Sequence, residues 1–478
     1  MTDCSSSSMR FQGLGRREVA ADFSGGTLTS DGGALLLREV DARLDLLSRF
    51  AGCFIDHRDP ERIEHTVESL VAQRVYGLAL SYEDLNDHDS LRSDPLMALL
   101  AGKADVEGND RLRERDRGKA LAGKSTLNRL ELTLGDASAA ERYKKIVFDP
   151  AAADRLLVEL FVESFESAPE RIVLDFDATD DPLHGNQEGR FFHGYYGQYC
   201  YLPLYVFCAE HLLCARLRTS NRDAASGALE ELKRIVEQIR EHWQNTVIVV
   251  RGDSGFCREE LMAWCEATPG VEYLFGLARN ARLEKTIAPQ RDQARQLYEQ
   301  TQQPARVFSE FDYCTKKSWT RARRVIAKAE HLDKGPNPRF IVTSLSPGEY
   351  DARELYEQHY CARGEMENRI KEQQLDMFAD RTSTGYLRAN QLRLSFASMA
   401  YTLMAALRRI GLKGTDMARA QCGTIRLRLL KIGARIRISV RRVYLSLASG
   451  FPLKDIFLQA LKNIQSLPRP PRLKPQPA

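Results

Sequence analysis

The stretch whose reading decides the fold is residues 171–189, RIVLDFDATDDPLHGNQEG. Its opening, IVLDF at 172–176, is the short apolar run that a strand buried on both faces requires, and it ends abruptly in acid. Four aspartates, Asp175, Asp177, Asp180 and Asp181, fall within seven residues. Side chains alternate along a strand, so Asp175 and Asp177 share a face. Carboxylates converging at a strand end repel one another unless a cation sits among them or solvent screens them. A hard-cation site and a plain Asp-rich turn both answer to this pattern. Asp180 and Asp181 read as turn formers, with Pro182 fixing the bend.

The residues that follow continue in strands. LPLYVFCAE and HLLCARLRTS read as a hairpin turning near Glu210 and His211, and 225–243 as a helix with Leu229, Leu232, Ile235 and Ile239 on one side. TVIVV at 246–250 is a second doubly buried strand ending in acid, RGDSGF, with Asp253 directly after Gly252. A helix over 258–267 and a strand over 271–278 complete the series. Three strands, a helix, a strand, a helix and a strand is the order of a ribonuclease-H-like α/β domain. In that arrangement the first and fourth strands are neighbours, so Asp177 and Asp253 meet.

The segments RVFSEFDY, RARRVIAKA and RFIVTSL within 281–348 suit a small antiparallel sheet inserted into this domain. Helical spacing returns over 349–378, where Tyr360, Arg363, Glu367, Lys371 and Gln374 fall at steps of three and four and share one face. A polar stripe of this kind is ordinarily just solvated. Here a single carboxylate stands between cations one turn away on either side, which also suits anion binding around a metal.

Residues 1–165 read as helical. Ser30 and Asp31 are placed to cap a helix carrying Leu35, Leu36, Val40 and Leu44, and the pairs Asp59-Pro60, Asp94-Pro95 and Asp149-Pro150 set a capping carboxylate before proline at a first helical position. At 478 residues the chain exceeds one ordinary core, and 43% hydrophobic with 28% charged residues describes a soluble globular protein. Its net charge of +4 hides an asymmetry: residues 381–478 hold 19 of the 69 basic side chains but only two of the 65 acidic ones. A basic C-terminal fifth on an acidic body points to a polyanionic partner, with a solvated basic tail as the alternative. Ten cysteines without CxxC spacing read as reduced thiols of a cytosolic protein. No leader is apparent in MTDCSSSSMRFQG, and the apolar stretch 394–407, bounded by Arg393 and Arg408, is too short to span a bilayer.

Together these pieces resemble the DDE transposases of bacterial insertion sequences, in particular the branch named insertion-sequence family thirteen-eighty. An acid after the first strand (LDFDATDDPLHG), an acid after the fourth (RGDSGF), a β-rich insertion and a helix bearing Tyr-x2-Arg-x3-Glu follow the family's order. The resemblance runs from FQGLGRREVAADFSGGTLTSDGGALLL to the basic C-terminus. It implies Asp177, Asp253 and Glu367 as catalytic, metal-binding acids, with Asp177 preferred to Asp175 because it precedes Ala178-Thr179, and Asp175 kept as a neighbouring acceptor or alternative ligand. Two Mg²⁺ ions, with Mn²⁺ able to substitute, are implied as cofactors. Oxygen-only ligands suit such ions, and no histidine or thiolate is needed. Tyr360 and Arg363 become the helix signature facing DNA. Where the wider group often has Lys seven residues after the Glu, this chain has Gln374, and Lys371 is placed to take over the phosphate contact.

The resemblance implies DNA cleavage at element ends and transfer of the 3′-hydroxyl into target DNA, by a homodimer or higher oligomer in the bacterial cytoplasm at the nucleoid. A catalytically silent DNA-binding regulator, and a metal-dependent nuclease that does not join strands, are the alternatives. For gripping DNA, TIRLRLLKIGARIRISVRRVYL reads as a β-ribbon turning near 431–433 that aligns Arg426, Arg428, Arg435 and Arg437 against phosphate. Trp319 with Arg323 in the insertion suits stacking on an extruded base. The expected fold is therefore a helical N-terminal domain (1–165), a ribonuclease-H-like α/β catalytic domain (166–280 and 349–380) with a β-rich insertion (281–348), and a basic helix and β-ribbon region (381–478).

Overall fold

The computed structural model describes residues 8–468; the first seven residues, on which the leader reading partly rests, and the basic side chains Arg469, Arg472 and Lys474 lie outside them. The architecture is α/β, built on a mixed sheet of nine strands. One half contains β1 (Arg171–Ala178), the hairpin β2 (Leu204–Cys208) and β3 (His211–Arg216), β4 (Val247–Gly252) and β5 (Val271–Leu277), in the order β3-β2-β1-β4-β5. β4 runs parallel to both β1 and β5, β2 is antiparallel to β1, and β3 is antiparallel to β2.

The sheet does not stop at β5. Strands β6 (Ala305–Tyr313), β7 (Arg323–Leu332) and β8 (Arg339–Thr343) continue it in the order β5-β8-β7-β6. The small sheet expected within 281–348 is antiparallel, but it is not a sheet of its own: Leu277 pairs with Phe340 and Leu274 with Thr343, fusing it to the central sheet. The physical reason lies in burial. Tyr273, Leu274 and Phe275 on β5 and Phe340, Ile341 and Val342 on β8 are all buried, so each strand needs cover on both faces and neither can remain an open edge.

Helices α1 (Val67–Ala79) and α2 (Pro150–Glu163) come from the N-terminal segment, α3 (Ala228–Arg240) and α4 (Glu259–Ala267) from the strand series. Leu232, Ile235 and Ile239 of α3 pack with Leu261 and Met262 of α4 and with Phe161 of α2 against the sheet. Asp149 caps α2, accepting from the Ala151 and Ala152 N–H groups at 2.9 and 3.1 Å, and Asp59 and Asp94 cap similarly. Asp31 does not cap. Its buried carboxylate pairs with Lys431 Nζ at 2.6 Å and accepts from the Tyr82 hydroxyl at 2.6 Å, because a fully buried charge is compensated better by a cation than by a helix N–H.

Residues 352–376 are helical throughout but unevenly wound: wide π turns at Leu355–Tyr360 and Glu372–Asp376 bracket a tight turn at Cys361–Arg363 and the regular helix α5 (Gly364–Lys371). Next, α6 (Leu387–Ala406) is buried on every side over most of its length, with Arg388, Gln391 and Arg393 of its first turns only partly covered. It shares one core with α1 and the other N-terminal helices, Phe396 meeting Phe50 edge-on at 5.7 Å between ring centres, so the two ends of the chain form one packed body. The ribbon reading of 424–445 is also corrected. Residues Arg426–Leu430 are helical, the strands are β9 (Ala434–Ser439) and β10 (Arg442–Leu447), and the turn falls at Val440 and Arg441. Ile425, Leu429 and Leu430 bury one helical stripe, which the arginines between them disguised as alternation.

Arg408 joins these parts. It reaches Glu210 in the β2–β3 turn at 2.9 Å and Glu372 in the uneven helix at 2.8 Å, with Arg408 and Glu372 almost wholly buried. Arg408→Ala takes one of two cations from the buried Glu372, which keeps Arg369 at 2.8 Å, and should cost about 1.5–3 kcal/mol in urea unfolding. A loss under about 1 kcal/mol would mean that the pair is solvated and does not hold the helix to the sheet.

Candidate active site

β1 and β4 are parallel, and Asp175 pairs with Arg251 and Phe176 with Gly252. Continuing that register by one residue sets Asp177 beside Asp253 at the carboxyl ends of the two strands. The uneven helix crosses these ends. From it, Arg363 extends one nitrogen to Asp177 at 3.4 Å and another to Glu367 at 3.3 Å. Both distances are those of ion pairs, and Arg363 Nη1 is buried without a hydrogen bond.

The charges report the same convergence. Burial pushes the Asp177 carboxyl up to about 6, and repulsion from Asp253 and Glu367 adds to it; Arg363 and the Ala178 N–H pull the other way. Burial acts to lower the Arg363 value, but Asp177, Asp253, Tyr360 and Glu367 more than offset it, and the guanidinium ends above its usual range. Asp253 Oδ1 accepts from the Gly255 N–H at 2.8 Å. Glu367 is the most open of the set, its side chain half exposed.

Asp175 is differently engaged. It is buried and held by both Arg251 Nε and Nη2, the latter at 2.7 Å, while the other terminal nitrogen of Arg251 donates to the His359 carbonyl. Both of its oxygens are therefore occupied. Gln374, at the position where a lysine was looked for, donates to Asp181 Oδ1 at 2.9 Å and to the Asp180 carbonyl at 3.2 Å, tying the turn after β1 to the crossing helix. Asp181 is no exposed turn former: it is fully buried, and burial pushes its carboxyl up to about 8. Lys371 is exposed one turn beyond Glu367 and forms no ion pair among the described residues. Sequence reasoning missed Arg251 and the clamping role of Gln374. Arg251 was visible two positions before Asp253 in RGDSGF, and its period-two spacing was the available signal.

A metal-ion centre can be tested against these side chains. The donors are all carboxylate oxygens, and Asp253 and Glu367 act on Asp177 as like charges that a cation would offset, so the chemistry fits Mg²⁺ or Mn²⁺. Among the described residues no three His, Cys, Asp or Glu side chains are drawn close enough to enclose an ion by themselves. Arg363 now serves as the cation between Asp177 and Glu367, held by ion pairs alone, and its displacement is what loading would require.

Three of the residues expected to grip DNA are structural. Trp319 is buried edge-on against Tyr313 at 5.7 Å, with Arg323 over its ring at 5.4 Å. Arg323 is itself buried and satisfied by Glu259 and Glu266 of α4. Arg426 is buried and donates to the Ala79 carbonyl at 2.7 Å and to the Leu78 and Asp376 carbonyls. Each side chain meets internal acceptors that sequence spacing did not show. Arg428, Arg435 and Arg437 are exposed, the last two on the outward face of β9, and Tyr360 and Arg363 face the acid site.

The class of molecule follows from comparison with known proteins. A profile of the family described as transposase DDE domain group 1 matches residues 11–469, and the chain belongs to that family of transposases. Among solved structures, the piggyBac transposase synaptic complex with hairpin DNA is similar over 94% of this chain and 87% of that chain, with a TM-score of 0.40 and 10% identity. A comparison with curated proteins found no match. Among the described residues no helix is long and apolar enough to cross a membrane.

Two outcomes follow from the geometry. Since the folded Asp177 value lies above the unfolded one, its contribution to stability is full below about pH 4 and lost as pH rises through the folded value. Asp177→Asn should therefore stabilise the metal-free protein at pH 7.5 by on the order of 2 kcal/mol and by almost nothing at pH 4. Urea unfolding at the two pH values checks this, and an equal effect at both would refute it. Trp319→Ala should cost about 3 kcal/mol of stability while leaving affinity for duplex DNA unchanged in gel-shift titration. Weakened DNA binding with an unaltered unfolding midpoint would return Trp319 to the DNA interface.

Proposed function

We propose that this transposase, a member of the insertion-sequence branch named above, cleaves DNA at the ends of its element and transfers the freed 3′-hydroxyl into target DNA. One observation carries the reading: parallel neighbouring strands end in Asp177 and Asp253, and the crossing helix contributes Glu367 through an arginine that touches two of the three acids. Asp177, Asp253 and Glu367 would hold two divalent cations, Mg²⁺ or Mn²⁺. When bound, such ions stabilise charge on the attacking and leaving oxygens of an in-line displacement.

The chain's own residues then have distinct tasks. Arg363, released from its carboxylate contacts, offers a planar cation to a nearby phosphate. Lys371, exposed beside Glu367, is placed for a second phosphate contact, and Tyr360 lines the floor next to Asp253. Arg428, Arg435 and Arg437 supply sequence-independent backbone contacts on the C-terminal surface. In this reading 166–280 and 349–380 are the ribonuclease-H-like catalytic unit, 281–348 is its β-rich insertion, and the packed terminal segments bind element ends or a second copy. Two ends must be joined in one event, which favours a homodimer or higher oligomer on DNA. The reading places the protein in the bacterial cytoplasm, at the nucleoid, where its DNA substrate would lie.

Labelled duplexes carrying the element's own ends, incubated with the protein and Mg²⁺, should be nicked and then joined to a target. Asp253→Ala and Glu367→Ala should each lower cleavage at least about 1,000-fold while sparing end binding. Nicking without joining would make the protein a nuclease, and binding without nicking a regulator. Full Mg²⁺-dependent cleavage by either variant would remove that residue from the site.

A further inference from the structure

The ends of the strands beyond Asp253 form a second feature that the three acids do not account for. A groove of about 420 Å³ opens directly beside Asp253, lined by Ser254, Gly276, Arg279, Arg339 and Tyr360. The register explains the lining. Gly252 pairs with Phe275, so Asp253 lies level with Gly276; Leu277 pairs with Phe340, which brings Arg279 and Arg339 to the same end of the sheet. Reading across the strand ends, the side chains change from acid (Asp177, Asp253) to base (Arg279, Arg339).

Two further observations show that the groove has a tightly packed floor and is kept charged. Gly276 has no room for a side chain: a Cβ there would lie 2.6 Å from the Tyr360 hydroxyl and 2.9 Å from the Ser254 nitrogen, so glycine lets the helix and the β4 end close over a narrow floor. Arg279 and Arg339 are exposed and form no ion pair or hydrogen bond through their guanidinium groups among the described residues. Arginines elsewhere in this half of the sheet are neutralised. Arg306 pairs with Glu330, Arg323 with Glu259 and Arg324 with Glu310. Two unpaired arginines in a groove that starts at the acids are complementary to a polyanion that passes over those acids.

We propose that Arg279 and Arg339 form a phosphate subsite that holds the DNA strand being cut, gripping the backbone on one side of the scissile bond. The dimensions suit this occupant. β8 stands two strands from β4, a span of about 10 Å at roughly 4.8 Å per strand, which covers some three phosphates at about 3.4 Å of rise each. The arginines are positioning residues: they fix where along the strand the acids act and take no part in the bond change. This subsite rests on the cleavage reading given above.

The test uses the full-length protein, Mg²⁺ and an element-end duplex in which single phosphates near the cleaved bond are replaced by uncharged methylphosphonates. For wild type, one or two replacements within three nucleotides of the bond, on one side only, should slow cleavage about 10-fold. The Arg279→Ala/Arg339→Ala double variant should cut the unmodified duplex about 10-fold more slowly, be indifferent to those same replacements, and show a binding salt dependence shallower by about 1–2 in slope. Arg279→Lys/Arg339→Lys should recover most of the rate. Losses that multiply at every position, or a double variant that cuts like wild type, overturn the subsite and leave the cleavage reading intact. No Mg²⁺-dependent cutting of the unmodified duplex by wild type overturns the cleavage reading, and the subsite with it.

Discussion

A buried ion pair, Asp175 with Arg251, fixes the arrangement on which the site depends. The two residues are direct partners across the parallel strands β1 and β4. Both strands are apolar on both faces, so apolar matching alone discriminates poorly between registers. A slip by one residue would set Arg251 beside an apolar neighbour and bury two unpaired charges, at a cost of several kcal/mol. The correct register carries Asp177 alongside Asp253. The same guanidinium also donates to the His359 carbonyl, one residue before Tyr360, so a single side chain orders two strands and the helix that supplies Glu367. An acid that the sequence offered as a possible metal ligand thus acts as the anchor that positions the others.

Much of this was legible in the sequence, for reasons that differ by element. Doubly buried strands such as IVLDF and TVIVV are unambiguous because few other structures tolerate so continuous an apolar run bounded by turns, and the Asp-Pro caps are set by local chemistry. Neighbouring of β1 and β4 followed from connection order. Three features were not legible. The fusion of β8 to β5 is a non-local pairing, and RFIVTSL reads identically in a separate sheet. The helix at Arg426–Leu430 was hidden because apolar and basic residues alternated by chance while Ile425 and Leu429 kept a helical interval. Trp319 and Arg323 looked like a DNA grip because Glu259 and Glu266, which neutralise the arginine, lie far away in sequence.

The charge asymmetry has a similar double meaning. A net positive C-terminal segment suggested a polyanionic partner, yet part of that charge is neutralised inside the molecule. Arg393 binds Glu131, Arg408 binds Glu210 and Glu372, and Lys431 binds Asp31, while Arg381 pairs with Glu83 at the surface. Segment 381–468 is therefore fastened electrostatically, as well as through α6, to the acidic body that precedes it. Arg428, Arg435, Arg437, Arg441 and Arg442 remain outward.

Buried pairs of this kind set geometry, whereas exposed and unpaired cations are the ones free to release counter-ions to DNA. The same criterion separates Arg323, spaced like a DNA contact but neutralised, from Arg279 and Arg339, which the sequence did not single out. For a basic chain of this length, the count of arginines says little about where a nucleic acid lies; which of them lack an internal carboxylate says considerably more.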